Sequence, residues 1–112
     1  MRVLVCGGRD YADEELFEEV MENFEVTEII QGGARGADRL AKQWAGDKRI
    51  PEREFPADWG QYGKSAGHIR NHLMLIQGQP DMVIAFPGGK GTANMIKQAK
   101  EAGVEVYEVS AS

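Results

Sequence analysis

The residues best suited to chemistry sit in three glycine-containing turns. The stretch AFPGGKGTANMIKQA, residues 85–99, runs from an apolar segment through three glycines into an amphipathic helical pattern. IIQGGARGADRLAKQWA, residues 29–45, has the same layout, and a third glycine pair, Gly7–Gly8, follows the apolar run RVLVC. The first turn of a helix leaves backbone N–H groups without partners, and the helix dipole puts partial positive charge there. Glycines just before such a helix let the backbone approach a ligand and aim several N–H groups at an anion. Gly88, Gly89, Gly91 and Thr92 are placed for this, as are Gly32, Gly33 and Gly36. One Gly-Gly alone is most simply a tight turn between strand and helix. Three of them together favour phosphate or ribose-phosphate binding. Neither long segment is a Walker loop, because the four-residue gap and the Lys-Ser/Thr pair are missing. Neither fits G-x-G-x-x-G, and no acidic residue ends the second strand to hold a ribose as in dinucleotide folds.

Other candidates surround these turns. FPADWGQYGKSAGHIRN, residues 55–71, brings together Trp59, Tyr62, Lys64 and Arg70. An aromatic there can stack on a base and a cation can neutralise a phosphate; alternatively Trp59 and Tyr62 anchor a long loop to the core. Arg70, one turn inside a helix, is the stronger functional candidate of the four. Arg9 and Asp10 follow Gly8 and serve either the ligand or a turn and a cap. Asp38 stands beside the second glycine turn, where it can accept a ribose hydroxyl or simply favour a helix N-terminus. His68 and His72 have helical metal-ligand spacing, but HIRNH lacks the glutamate of H-E-x-x-H and no third ligand accompanies them, so no metal is expected. The expectation is one histidine in solvent and one in the core. Cys6, with no activating partner in view, reads as a small apolar residue rather than a nucleophile.

The elements that must position these residues alternate strictly. Strands are expected at residues 2–6, 25–30, 52–56, 81–86 and 104–109, and helices at 13–24, 35–46, 65–78 and 92–102. Asp10 or Asp13 can cap the first helix, and Gly46, Gly78 and Gly103 are read as helix stops. In the third helix Ile69, His72 or Leu73, and Ile76 are expected to face inward. Right-handed crossovers turn this order into an α/β fold with a parallel sheet of about five strands and helices on both faces. Such sheets bind ligands at the carboxyl ends of their strands, the edge where the three glycine turns fall.

Bulk properties narrow the function classes. The chain has 112 residues, enough for one domain over residues 1–112 with a modest core. Its formal charge of −5 argues against a nucleic-acid backbone as partner, although thirteen basic residues leave room for a local basic pocket. A single cysteine excludes an internal disulfide and suits a reducing cytosol. The early glycine pair leaves no room for a secretory apolar region, and no apolar run reaches the ~18 residues of a membrane helix. The expectation is a cytoplasmic protein with no membrane partner, and a short stand-alone domain fits a bacterial or phage gene.

Taken together, GGRDY, GGARGAD, ADWGQYGKSAGHIRN and AFPGGKGTA resemble the YspA-like branch of the SLOG superfamily, Rossmann-like proteins related to the LOG phosphoribohydrolases and, more distantly, to DprA. The resemblance runs from Val3 to about Val106 and implies a three-layer domain with a nucleotide-type ligand across the glycine turns. LOG enzymes carry P-G-G-x-G-T-x-x-E, whose last residue is the catalytic glutamate, and an R-K-x-x-M segment. Pro87, Gly88, Gly89, Gly91 and Thr92 match the first motif, but Met95 occupies the glutamate position and Asn94 precedes it. Arg70 to Met74 match the second, with Asn71 in place of lysine. The binding half therefore carries over and the catalytic half does not.

The leading expectation is a sensor or sequestering domain for a nucleotide-type small molecule, needing no cofactor. Arg70, with Lys64 or Lys90, would pair with phosphate, and Trp59 or Tyr62 would cover the base. A LOG-like N-glycosidic hydrolase is the alternative; it would need a carboxylate from Asp10, Asp38 or Asp58. A DprA-like DNA-linked role ranks third, against the acidic charge balance. The resemblance also implies a homodimer.

Overall fold

The computed structural model describes residues 1–110. Strands β1 (Arg2–Cys6), β2 (Glu28–Gln31), β3 (Glu52–Glu54), β4 (Met82–Ala85) and β5 (Glu105–Glu108) form one parallel sheet in the order β3-β2-β1-β4-β5. Helices α1 (Glu14–Met21), α2 (Ala37–Lys48), α3 (Trp59–Tyr62), α4 (Ala66–Gly78) and α5 (Lys90–Glu101) connect them, with a short 3₁₀ turn over residues 63–65 between α3 and α4. The architecture is the α/β, Rossmann-like one expected from the alternation.

Strand alternation divides the core into two layers. Val3, Val5, Ile29 and Ile84 pack with Phe17, Met21, Ala41 and Trp44 of α1 and α2. Leu4, Ile30 and Val83 face the other way, onto Met74 of α4 and Met95 and Ala99 of α5. Helices therefore cover both faces, which is why β1 and β4 are apolar at successive positions rather than every second one. The chain first builds outward from β1 to β2 and β3, then returns to the other side of β1 for β4. The loops after β1 and β4 consequently leave the sheet side by side at its reversal point, where open α/β sheets place their ligands.

Several boundaries differ from the sequence reading for local reasons. Asp13 caps α1, accepting the Leu16 N–H at 3.1 Å, so of the two candidate caps Asp10 is not the one used. Helix α2 continues through Gly46 to Lys48 and ends with Arg49 in the left-handed conformation (φ 57°). The third strand covers only residues 52–54. Asp58 and Gly63 bracket the additional helix α3: the Asp58 side chain accepts the Gln61 N–H at 3.0 Å, and Gly63 turns the chain out at φ 55°.

The largest correction concerns α4, whose buried residues are Ala66, Asn71, Met74 and Gly78. His68 and His72 are both exposed, Leu73 is exposed, and Ile76 is 55% exposed. The apolar stripe misidentified the inner face because that face carries a hydrogen-bonded asparagine and a glycine. Gly78 is the last helical residue and Gln79 takes the left-handed cap (φ 48°). A Cβ at Gly78 would lie 3.0 Å from the Ile30 Cδ1 atom, so its role is close approach of helix to sheet.

Candidate functional site

Backbone contacts hold the glycine turns together. The Gly8 N–H donates to the Pro87 carbonyl at 2.9 Å, joining the turns after β1 and β4. The Gly8 carbonyl accepts the Ala37 N–H at 3.2 Å, joining the β1 turn to the start of α2. A Cβ at Gly36, which sits at φ 79°, would collide with Gly8 and Arg9, and one at Gly88 would collide with Thr92 and Gly8. These two glycines are required by turn-to-turn packing, and neither they nor Pro87 line the cleft that the turns create.

That cleft has a volume of about 400 Å³, with Gly7, Gly8, Asp38, Arg70, Gly89 and Thr92 in its wall. Its open end is the first turn of α5, where the helix is capped only by the backbone of Gly89. The amides of Lys90, Gly91 and Thr92 have no hydrogen-bond acceptor among the described residues. Added Cβ atoms at Gly89 and Gly91 would meet nothing within 4 Å. The backbone is bare there because the space in front of it is free. The start of α2 is different: the β1 turn covers it, and the glycine turn of residues 32–36 contributes Gly32 and Gly33 to an adjoining lobe of about 420 Å³.

Arg70 stands at the junction of the two lobes and is held in place. Its Nη1 donates to the Gly32 carbonyl at 2.6 Å and its Nε to Asn71 Oδ1 at 3.0 Å. Asn71 in turn donates from Nδ2 to the Gly91 carbonyl at 3.2 Å and to Asn94 Oδ1 at 3.1 Å. Gln98 Nε2 also donates to Asn94 Oδ1, at 2.7 Å. This network ties the guanidinium to the first turn of α5, so cation and amides keep a fixed spacing. Burial lowers the Arg70 pKa and the charge of Asp38 counters it.

Of the three candidate aspartates, Asp38 alone lines the cleft. It is buried, and its Oδ2 accepts the Ala34 N–H at 3.2 Å. Burial pushes its carboxyl up to about 6, against the opposing pull of the Ala34 amide and the Arg70 charge. Asp10 is on the surface, 3.6 Å from Arg35, and Asp58 is occupied as the α3 cap. Cys6 reaches the cleft wall, but burial pushes its thiol up to about 12, which keeps it protonated and unreactive.

The remaining candidates divide similarly. Lys64, Lys90 and Asn71 line the first lobe, and Arg9 and Trp59 line both. Trp59 is 50% exposed, with the Arg9 guanidinium 5.7 Å from its ring centroid. Tyr62 is exposed and lines neither lobe. Met95, at the position of the LOG glutamate, is fully buried under the sheet. His68 joins the cleft wall, yet no group of three or more metal-binding side chains occurs among the described residues. The sequence reading passed over Gln31. Its Oε1 accepts the Gly33 N–H at 2.6 Å, and its Nε2 donates to Glu52 and Glu54 at 2.8 and 3.0 Å, which fixes the start of the second glycine turn. A polar residue closing an apolar run directly before Gly-Gly was the available signal.

Comparison with known proteins identifies the family. Residues 1–62 match the family described as YspA, cpYpsA-related SLOG. The Gene 61 protein of Mycobacterium phage D29 is 33% identical over 117 residues, covering 94% of this chain and 93% of that protein. The phage relative extends the likeness past residue 62 and through the segments that carry Arg70 and the α5 glycine turn. The chain belongs to the YspA, cpYpsA-related SLOG family.

Proposed function

We propose that the cleft binds a nucleotide or nucleotide-derived small molecule and that the protein senses or sequesters it. The observation that carries this reading is the unobstructed first turn of α5. Its three free amides face a cleft in which Arg70 is fixed by hydrogen bonds. Amides at a helix N-terminus with a guanidinium beside them suit a phosphate. Trp59 offers a half-exposed ring on which a base can stack, and Asp38 offers an acceptor for a ribose hydroxyl.

A second reading, N-glycosidic hydrolysis, is favoured by one feature, the buried carboxylate of Asp38 in the cleft wall. With Met95 in the core, Asp38 is the only carboxylate among the described residues that lines the first lobe, where it could assist departure of a base. The two readings separate in one experiment. The purified protein is incubated with nucleoside monophosphates, cyclic nucleotides and ADP-ribose, and mass spectrometry quantifies intact ligand, free base and ribose phosphate. Intact ligand retained on the protein supports a sensor or sink. Catalytic release of base, abolished in Asp38→Asn while binding persists, would replace that reading with hydrolysis.

The phosphate position has its own test. Gly89→Val fills open space rather than packed space, so the variant should fold with a near-native melting temperature. Ligand affinity should fall by roughly tenfold or more, as charge-assisted hydrogen bonds to the amides are blocked. Unchanged affinity would place the phosphate elsewhere.

A further inference from the structure

A nucleoside monophosphate seated on α5 would leave the second lobe empty. Each lobe alone falls within the size range of a small-molecule site. Arg9, Trp59 and Arg70 belong to both, so the lobes adjoin along these side chains. Arg9, Arg35 and Arg70 line the second lobe and no carboxylate does. Three guanidiniums around one small space run against the balance of a chain whose formal charge is −5.

Each guanidinium retains donors for an incoming anion. Arg70 spends Nη1 and Nε on Gly32 and Asn71, which orients the plane and leaves Nη2 available. Arg9 lies over the Trp59 ring, a contact that uses its face and leaves its in-plane N–H groups free. Arg35 meets Asp10 at 3.6 Å with both side chains largely in solvent, a weak pair that a phosphate can displace. Besides Asp10, two carboxylates border the lobe without lining it: Asp38, whose Oδ2 accepts the Ala34 N–H, and Glu54, whose Oε1 is engaged by Gln31 and Lys42 while its Oε2 lies towards Gly33.

We propose that the second lobe is an anion subsite and that the cleft takes a nucleoside diphosphate, free or esterified at its terminal phosphate. One phosphate sits on the α5 turn, and the second lies among Arg70, Arg9 and Arg35. This rests on the reading of the first lobe as a nucleotide site and adds the second phosphate to it. Asp10 acquires a role as well: it competes with the ligand for Arg35.

The test is calorimetric titration with the pairs AMP and ADP, GMP and GDP, CMP and CDP, and UMP and UDP. ADP-ribose and UDP-glucose complete the set, and a chelator is present throughout. For the base that binds, the diphosphate should bind about tenfold more tightly than the monophosphate. Arg35→Ala should remove about tenfold from the diphosphate and leave the monophosphate unchanged. Asp10→Asn should act oppositely, tightening the diphosphate about two- to threefold. Both side chains are largely exposed, at 65% and 97%, so neither change threatens folding. Equal binding of mono- and diphosphate, or equal losses for both in Arg35→Ala, would overturn the subsite and leave the first-lobe reading standing. Failure of every nucleotide to bind would overturn both.

Discussion

Asp38 is a residue through which pH reaches the cleft. Its carboxyl titrates near 3.8 when solvated and at about 6 in the folded protein. Between these values the native state holds a proton that the unfolded chain has released. The native state binds more protons there, so stability is greatest below the window, falls as pH rises through it, and levels off above about 6. The shift of about two units corresponds to roughly 3 kcal/mol, an order-of-magnitude figure at ~1.4 kcal/mol per unit. Asp38→Asn removes the charge while keeping an acceptor for the Ala34 N–H. Urea unfolding of the two proteins should therefore coincide near pH 4 and diverge by pH 7, with Asp38→Asn the more stable. Parallel pH profiles would mean that the Asp38 carboxyl is not desolvated in solution. Desolvation by burial likewise holds Cys6 in its thiol form.

Among the helices, two glycines share a helical setting and have opposite reasons for being there. Gly46 lies inside α2 with nothing within 4 Å of an added Cβ, whereas Gly78 touches Ile30. Gly46→Ala should stabilise the protein by about 0.5–1 kcal/mol, the ordinary gain for a helix interior. Gly78→Ala should give no gain or a loss, because the helix must move off the sheet. Thermal unfolding of the pair checks this, and equal gains would show that α4 does not press on Ile30. The contrast explains what was legible. β1 and β4 were readable because continuous apolar runs have one stable home, between two helical layers. The glycine turns were readable as a group for the same reason: strict alternation puts them on one edge. Which glycine bares the backbone and which merely permits packing was hidden, since what lies opposite Gly36, Gly88 and Gly89, and the left-handed φ of Gly36, are set by the folded chain and not by the glycine pattern. The inner face of α4 was hidden too. Asn71 is buried because Arg70, Gly91 and Asn94 satisfy it, and the last two come from α5, which a local stripe cannot see.

At the scale of the whole molecule, charge is distributed against the average. The chain carries 18 acidic and 13 basic residues, yet Arg9, Arg35, Lys64, Arg70 and Lys90 line the cleft, where Asp38 is the one carboxylate in the wall among the described residues and Asp10 pairs with Arg35 outside it. On the proposed reading, a phosphate ligand would be drawn to one spot on a protein whose net charge repels anions elsewhere. Affinity for any nucleotide ligand should weaken severalfold between about 0.05 M and about 0.5 M salt, as the Debye length contracts. A salt-independent affinity would indicate that stacking, not charge, dominates. The sheet's two outer strands carry a different consequence. β3 reads Glu-Arg-Glu and β5 reads Glu-Val-Tyr-Glu, with Glu54, Glu105 and Glu108 exposed. If a neighbouring copy added its β5 to this β3, the seam would gather four carboxylates along two short ribbons. Growth of the sheet across molecules by that pairing is therefore opposed by charge at both margins.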